Sequence, residues 1–275
     1  MLPKNKISIA HEAPVSIIDQ VQMVTDYDYA LSVCFDKIDG YYDFFKRAIK
    51  NGRWVLLDNG IFEEGVPMDS DKYADYIVNL QPNEYVVPDA LEDADTTMSN
   101  FDKWVRDFGD IPGRRIGVAQ GSTLKEFIEC YKYMSDKADK IAISFDYSLY
   151  INELTDSTDG NKLERYATGR KRVLEYLYRF GIFNFKKPTH LLGISLPQEL
   201  SYYKHVCFGS NIESFDSSNP VVHAIKRGKY PSDIKSIDYK ESTKFKDLID
   251  TPKTDKLVVD AISNIIQFRY QNSLY

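Results

Sequence analysis

The sequence contains few cysteines, no long apolar run and no excess of positive charge. Its three cysteines, Cys34, Cys130 and Cys207, are scattered over 275 residues without a C-x-x-C pair. This spacing argues against a disulfide framework and a cysteine-based zinc cluster, and it favours a reducing compartment. No apolar segment approaches the ~20 residues that span a bilayer, and the N-terminus lacks the apolar core of a signal peptide. We therefore expect a cytoplasmic protein with no membrane partner.

The charge balance and the absence of common motifs exclude several further classes. A formal net charge of −6 argues against a generally basic nucleic-acid coat, although a local basic patch stays compatible with it. The chain has no G-x-S-x-G elbow, no H-E-x-x-H and no P-loop, and its four histidines have no ligand-like spacing. We expect no metal site and no cofactor.

Eight short apolar runs alternate with amphipathic, helix-like segments. The runs occupy residues 6–10, 29–35, 53–58, 84–89, 115–120, 140–146, 190–195 and 211–216. Most are continuous, which is typical of strands buried on both faces of a parallel sheet. Eight such units predict an α/β fold, a single-domain (β/α)8 TIM-like barrel. The alternative is an open doubly wound sheet, which is disfavoured because no glycine-rich fingerprint follows the first strand.

Two segments lie outside the simple alternation. Residues 146–187 form an unusually long connection, which is either a lid over the site or a plain insertion. Residues 241–275 include "KLVVDAISNIIQFRYQ" and predict a C-terminal helical extension packed on the outside of a barrel formed by residues 1–240.

Polar side chains recur where the predicted strands end. They are Asp58, Asp89, Gln120, Ser144, Asp146 and Asp216. In a barrel these strand ends meet at one face, where active sites are built. Several carboxylates in one site shift each other's pKa values apart, so that one stays charged while another carries a proton. The alternative is that each residue only caps the helix that follows.

The order of these motifs resembles that of the tRNA-guanine transglycosylase superfamily, most closely its phage-type branch that inserts 7-deazaguanines into DNA. The similar motifs are "LLDNGIF", "VVPDALED", "IGVAQGS", "HLLGISLPQEL" and "ESFDSSNP", within residues 50–225. "IAISFDYS" stands where the family has a glycine pair. The zinc-binding subdomain of RNA-acting members has no counterpart, so we expect a barrel without it.

The resemblance implies a role for each strand-end residue. Asp216 would be the nucleophile that forms a covalent aspartyl–sugar intermediate, and Asp58 would be the general acid and base. The substrate base would contact the residues around these two acids. They are Asn59, Asp89, Gln120, Gly121, Ser144 and Phe145.

The activity implied is the exchange of guanine in DNA for a free 7-deazaguanine base (preQ0-like), in the host cell cytoplasm if the gene is phage-borne. Other readings stay open on the same barrel. They are a tRNA-guanine transglycosylase, a base hydrolase or nucleoside salvage enzyme, and a non-catalytic barrel that binds nucleic acid. DNA is the favoured partner because the zinc-free chain is compact, with tRNA second.

Two basic stretches are candidates for phosphate contacts. Residues 162–187 carry eight Lys or Arg against two glutamates, and residues 225–230 follow the proposed nucleophile strand. The predicted nucleic-acid contacts are Arg170, Lys171, Arg172, Lys226, Arg227 and Lys229. The alternative for the first stretch is a solvated helix face.

Overall fold

All eight expected strands form, and every adjacent pair is parallel. The computed structural model describes residues 7–145, 147–234, 237, 239 and 244–271. The strands are β1 (Ser8–Ala10), β2 (Asp28–Leu31), β3 (Val55–Asp58), β4 (Glu84–Val86), β5 (Arg114–Ala119), β6 (Lys140–Ile143), β7 (Thr189–Leu191) and β8 (Ile212–Asp216). Their order in the sheet is β1-β8-β7-β6-β5-β4-β3-β2. This sequential order confirms the (β/α)8 barrel, and the doubly wound alternative is wrong because such sheets reverse their strand order.

The seam between β1 and β2 is closed by isolated hydrogen bonds. In the described part of the chain, no regular ladder joins these two strands. Instead, the backbone oxygen of Ile9 accepts from Asp26 N and from Thr25 Oγ1, both at 2.8 Å. Asp26 Oδ2 accepts from Ile9 N at 2.9 Å. Residues just before β2 thus complete a nearly closed barrel.

The helices surround the sheet. They are α1 (Ile18–Gln22), α2 (Tyr41–Lys50), α3 (Ile61–Glu64), α4 (Ser70–Leu80), α5 (Ala94–Phe108), α6 (Leu124–Lys137), α7 (Lys162–Arg179), α8 (Pro197–Tyr203), α9 (Asn219–Arg227) and α10 (Asp255–Gln271). Asp69, Asp93 and Thr123 cap α4, α5 and α6 through their side chains. The strand-end residues Asp89 and Gln120 are therefore not needed as caps, and their side chains are available for a site.

Short helical turns complete the connections. They lie at Ser32–Cys34, Tyr150–Leu154, Ser157–Asp159, Cys207–Asn211 and Phe245–Leu248. The turn at Tyr150–Leu154 packs against α7, so two parts of the long connection after β6 pack on each other. Arg165 donates to the Ile151 backbone oxygen at 2.8 Å, which fastens this turn to the helix. The terminal helix α10 packs against α9 and α1.

A buried polar layer fills the barrel interior beneath the C-terminal strand ends. Lys140 Nζ contacts Glu84 Oε2 at 2.9 Å and Ser214 Oγ at 2.6 Å, and all three side chains are buried. These residues belong to β6, β4 and β8, the alternate strands that share one layer of a barrel. Buried charges are tolerated when they are paired, as Lys140 is here.

Candidate functional site

A cavity of about 1030 Å³ opens at the C-terminal ends of the strands. Seven of the residues that the sequence assigns to the site line it. They are Asp58, Asn59, Asp89, Gln120, Ser144, Phe145 and Asp216. These side chains come from the ends of five strands or from the residues just after them, namely β3, β4, β5, β6 and β8. The shared barrel face thus brings distant segments of the chain together. Asp146 lies outside the described residues.

Asp58, the last residue of β3, is held by two donors. Its Oδ2 accepts from the Tyr29 hydroxyl at 2.7 Å, and its Oδ1 accepts from Gly60 N at 2.6 Å. Burial raises the pKa of Asp58 to about 7, and the nearby charges of Asp89 and Asp216 add to the rise, while the two hydrogen bonds oppose it. A carboxyl group with a pKa near neutrality can both give and take a proton, as a general acid and base must.

Asp89 is the centre of a buried amide–carboxylate network. Its Oδ1 accepts from Asn59 Nδ2 at 2.7 Å, and its Oδ2 accepts from Gln120 Nε2 at 2.6 Å. Gln120 Oε1 accepts from Glu92 N at 2.8 Å and from the Tyr147 hydroxyl. Burial raises the pKa of Asp89, against the lowering effect of its two amide donors. The amides fix the orientation of this carboxyl group and leave each of its oxygens one further lone pair for a ligand.

Asp216 ends β8, and its carboxyl group contacts residues in β7 and just after it. Its Oδ1 lies 3.1 Å from His190 Nε2 and accepts from Gly193 N at 3.0 Å, and its Oδ2 lies 3.1 Å from the same Gly193 nitrogen. Gly193 has a φ of +62°, a left-handed conformation that favours glycine and that turns its N–H toward the carboxyl group. Asp216 is buried yet lines the cavity, so one face of its carboxyl group is open to a ligand.

The segment after β6 supplies one wall. Ser144 and Phe145 line the cavity, and the Phe145 ring packs edge-on against Tyr166 at a centroid distance of 5.7 Å. Gly121 is buried but is not one of the described residues that line the cavity. A Cβ atom there would lie 2.4 Å from Phe127 N, so this glycine allows the loop to pack on α6. Its predicted substrate contact is therefore not supported by its position.

The prediction that Arg170 binds nucleic acid is wrong. The side chain is fully buried, and its Nε and Nη2 contact the two carboxylate oxygens of Glu199 at 2.8 and 2.9 Å. Its Nη1 donates to the Leu192 backbone oxygen at 2.7 Å, and its guanidinium lies 4.9 Å from the centre of the Phe145 ring. Arg170 thus holds the wall of the cavity in place from behind.

Lys171 and Arg172, the next two residues of α7, are nearer to solvent but also contact other parts of the protein. The Lys171 ammonium lies 5.4 Å from the centre of the Tyr202 ring, and burial lowers the pKa of this lysine. Arg172 makes two hydrogen bonds to Asp159, at 2.6 and 2.8 Å, and one to the Leu154 backbone oxygen at 2.6 Å. Arg172 therefore fastens the long connection, and a nucleic-acid role for either residue stays a prediction.

Lys226, Arg227 and Lys229 are exposed, but the structure does not bring them to the cavity. Helix α9 starts directly after β8 beside the cavity and returns toward the opposite end of the barrel. Nine helical residues span about 13 Å, so these side chains lie well away from Asp216. Arg227 also covers the Tyr239 ring, 4.5 Å from its centre. The predicted contacts of these three residues with nucleic acid would therefore lie away from the reacting base, and they stay a prediction.

Several cavity residues were missed by the sequence reasoning. Tyr29, Glu12, Glu92, Lys162 and Lys244 all line the cavity. Glu12 follows β1 just as Asp58 ends β3, so the strand-end rule could have found it. Tyr29 lies inside a strand, and Lys244 comes from the segment taken as an outer extension. No local sequence signal distinguishes these last two.

The cavity wall is acidic. Among the described lining residues, the seven acids Glu12, Asp58, Glu63, Asp89, Glu92, Asp216 and Asp247 face two lysines, Lys162 and Lys244. Phosphates are repelled from such a surface, whereas neutral groups rich in N–H and O–H donors are favoured. Within the described ranges, no three His, Cys, Asp or Glu side chains are grouped to hold a metal ion. None of the helices described is long and apolar enough to cross a bilayer.

Comparisons with known proteins extend to the fold alone. No protein-family model and no curated protein matches the chain. Among solved structures, the tryptophan synthase complex of Pyrococcus furiosus is 9% identical with a TM-score of 0.49, over 95% of this chain and 99% of that chain. CdNal from Clostridium difficile, solved with mannosamine, is 10% identical with a TM-score of 0.43, over 79% and 71%. A methylaspartate ammonia lyase variant from Clostridium tetanomorphum is 10% identical with a TM-score of 0.43, over 98% and 61%.

Proposed function

We propose that the protein is a glycosyltransferase that exchanges guanine in DNA for a 7-deazaguanine derivative. One observation carries the proposal: Asp58 and Asp216 line the same cavity, but their surroundings differ. Asp58 has a pKa of about 7 and can carry a proton, whereas Asp216 accepts hydrogen bonds from His190 and Gly193. These contacts fix the orientation of the Asp216 carboxyl group, which also lines the cavity. A proton carrier beside a carboxylate nucleophile is the pair that retaining glycosyl transfer requires.

The reaction follows from these two roles. An oxygen of Asp216 attacks C1′ of the sugar and forms an ester bond while the bond from C1′ to the base nitrogen breaks. The electron pair of that bond leaves with the base, and protonated Asp58 supplies the proton that neutralises it. The incoming base then loses a proton to Asp58 and attacks C1′, and Asp216 departs as a carboxylate. Two inversions at C1′ leave the sugar configuration unchanged.

The Asp89 network supports a guanine-like substrate. Both Asp89 oxygens already accept from the amides of Asn59 and Gln120, so the carboxyl group is rigid. Its remaining lone pairs can accept from two adjacent N–H groups, the pattern that guanine and 7-deazaguanines show on one edge. Adenine presents a ring acceptor at the corresponding position and would leave this acid without a donor.

The polymer substrate is proposed from the shape and charge of the site. An acidic cavity accepts a nucleoside extruded from its stack while the phosphates stay at the rim. DNA is preferred over tRNA because the compact barrel carries no counterpart of the zinc-binding subdomain. Free nucleoside and tRNA are the alternatives that the experiment must separate.

The test is to look for a covalent adduct on a denaturing gel. The wild-type protein is incubated with DNA, tRNA or nucleoside that carries one label on the sugar, which an adduct retains, and a second label on guanine, which is released. Each incubation is run with and without an added 7-deazaguanine base. We expect an adduct and base-dependent exchange with DNA alone. Asp216→Ala and the isosteric Asp216→Asn should form no adduct, with the fold verified by circular dichroism. Release of more than one equivalent of guanine per protein without an incoming base would indicate a hydrolase. Binding of DNA without release from any substrate would refute the proposal.

A further inference from the structure

We propose that His190 is a positioning residue that, as the neutral tautomer protonated on Nε2, donates to Asp216 and holds its carboxyl group in the orientation needed for attack. The inference rests on the proposed function, because that function makes Asp216 the nucleophile. His190 lies in the middle of β7, is fully buried and carries no role in the resemblance described above.

A continuous chain of hydrogen bonds connects the barrel interior to Asp216. Lys140 Nζ lies 2.6 Å from Ser214 Oγ, which lies 2.9 Å from His190 Nδ1. His190 Nε2 then lies 3.1 Å from Asp216 Oδ1. Behind Lys140, Glu84 and Glu213 contact its ammonium at 2.9 and 2.7 Å. Three strands, β6, β8 and β7, therefore fix the ring that faces Asp216.

The donor and acceptor types in this chain select one tautomer. A lysine ammonium can only donate, so Ser214 Oγ accepts from Lys140 and has its own hydrogen left for His190 Nδ1. At the other end, the attacking carboxylate of the proposed mechanism can only accept, so Nε2 carries the hydrogen when Asp216 acts as the nucleophile. Burial lowers the pKa of His190, which keeps the ring neutral. The Tyr29 ring is nearly parallel to the imidazole at a centroid distance of 6.2 Å, which restricts its rotation.

Asp216 and Asp58 therefore have different roles. A neutral donor orients the Asp216 carboxyl group without introducing a charge that would compete for its oxygen. Asp58 has no histidine donor and carries the proton instead. Other titratable groups also act on Asp216 or lie close to it. They are Tyr27, Tyr29, Asp58 and His11, with Lys140 and Glu84 behind His190.

The first experiment measures the tautomer directly. Nitrogen-15 NMR of the whole protein, with His190 assigned by its absence in His190→Phe, should show a neutral ring protonated on Nε2 from pH 6 to 8. Ser214→Ala removes the hydroxyl that donates to Nδ1 but leaves Lys140 with Glu84 and Glu213, so the share of this tautomer should fall. A ring protonated on Nδ1, or a charged ring at neutral pH, would overturn the inference whether or not the proposed activity is found.

The second experiment separates positioning from mere packing. His190→Gln can still donate to Asp216, whereas His190→Phe fills the space without a donor. Loss of one hydrogen bond to a charged group corresponds to about a 10- to 100-fold change, which we expect in kcat for His190→Phe with little change in KM. His190→Gln should recover most of the rate. Equal losses of kcat in the two variants, or a loss that appears mainly in KM, would refute positioning.

Discussion

The Tyr29 hydroxyl donates to Asp58 Oδ2 over 2.7 Å, so an aromatic residue of β2 controls the acid at the end of β3. Burial raises the pKa of Tyr29 well above its ordinary value, so its hydroxyl stays protonated and donating at neutral pH. This bond lowers the pKa of Asp58, but burial of the carboxyl group outweighs it and sets a value of about 7. The balance between desolvation, the two hydrogen bonds and the nearby acids decides the protonation of Asp58 at physiological pH.

We expect the release of guanine to depend on protonated Asp58. With a pKa of about 7, the acid form predominates below neutrality, so single-turnover adduct formation should fall about tenfold per pH unit above pH 7. Asp58→Asn should reduce the rate by about 10²- to 10⁴-fold and abolish this pH dependence. Tyr29→Phe is the control. Loss of the hydroxyl donor raises the pKa of Asp58, so the fall in the rate of adduct formation should begin at a higher pH. If the rate fell at the same pH in Tyr29→Phe as in the wild type, the pH dependence would belong to another titrating group.

The same pKa predicts a stability effect of definite sign. The folded-state pKa of Asp58 lies above its ordinary value of 3.8, so the folded protein binds more protons than the unfolded chain between these pH values. The contribution of Asp58 to stability is therefore lost as pH rises through about 7. The free energy of unfolding of Asp58→Asn relative to wild type should rise by about 2.5 kcal/mol from pH 5 to pH 8, as measured by urea denaturation.

The barrel could be predicted from the sequence because strand periodicity is local, whereas the partners of a side chain are not. The runs ending at Asp58 and Asp216 are continuous and apolar, and the barrel rule then places both acids at one face. Arg170 was misassigned because its neighbours in sequence are basic. Helical spacing puts it in line with Tyr166, Val173 and Leu177, on the buried face. Its partner Glu199 is 29 residues away, which no local pattern reveals.

We expect Arg170 to matter for stability and not for nucleic-acid affinity. Arg170→Met leaves the Glu199 charge buried without its partner, which costs about 3–5 kcal/mol. Adding Glu199→Gln removes that charge and keeps an acceptor for the Tyr203 hydroxyl, which lies 2.7 Å from Glu199 Oε1. The double variant should therefore recover most of the loss in urea denaturation. If Arg170→Met kept wild-type stability but bound DNA more weakly, the prediction that Arg170 contacts nucleic acid would be restored.

The contact between α7 and the turn at Tyr150–Leu154 makes a further prediction. A Cβ atom on Gly169 would lie 2.2 Å from Tyr150 Cβ, so Gly169→Ala must push the turn from the helix. Overpacking of this kind costs about 1–3 kcal/mol. Hydrogen exchange of residues 150–154 should accelerate, and thermal stability should fall. Thr168→Ala, one residue earlier in α7, is the matched control and should leave both unchanged. Unaltered exchange in Gly169→Ala would show that the turn adapts at no cost.

Phe62 provides a test of whether the substrate is a stacked polymer. It lines the cavity while 48% exposed, an unusual position for a large apolar ring at the rim of an acidic site. Extruding a base leaves a gap between its neighbours, which an apolar side chain can fill. Base–aromatic stacking contributes about 1–3 kcal/mol. We therefore expect Phe62→Ala to lower kcat/KM on duplex DNA by about 5- to 100-fold.

The matched control is Val66→Ala. Val66 is 64% exposed in the loop that follows Phe62 but is not one of the described residues that line the cavity. Its replacement should leave exchange unchanged on every substrate, because it has no base to contact. For Phe62→Ala, the loss should be largest on duplex DNA, smaller on single-stranded DNA and smallest on free nucleoside, since only the duplex must be unstacked. An equal loss on all three substrates would mean that Phe62 shapes the cavity instead of replacing the extruded base.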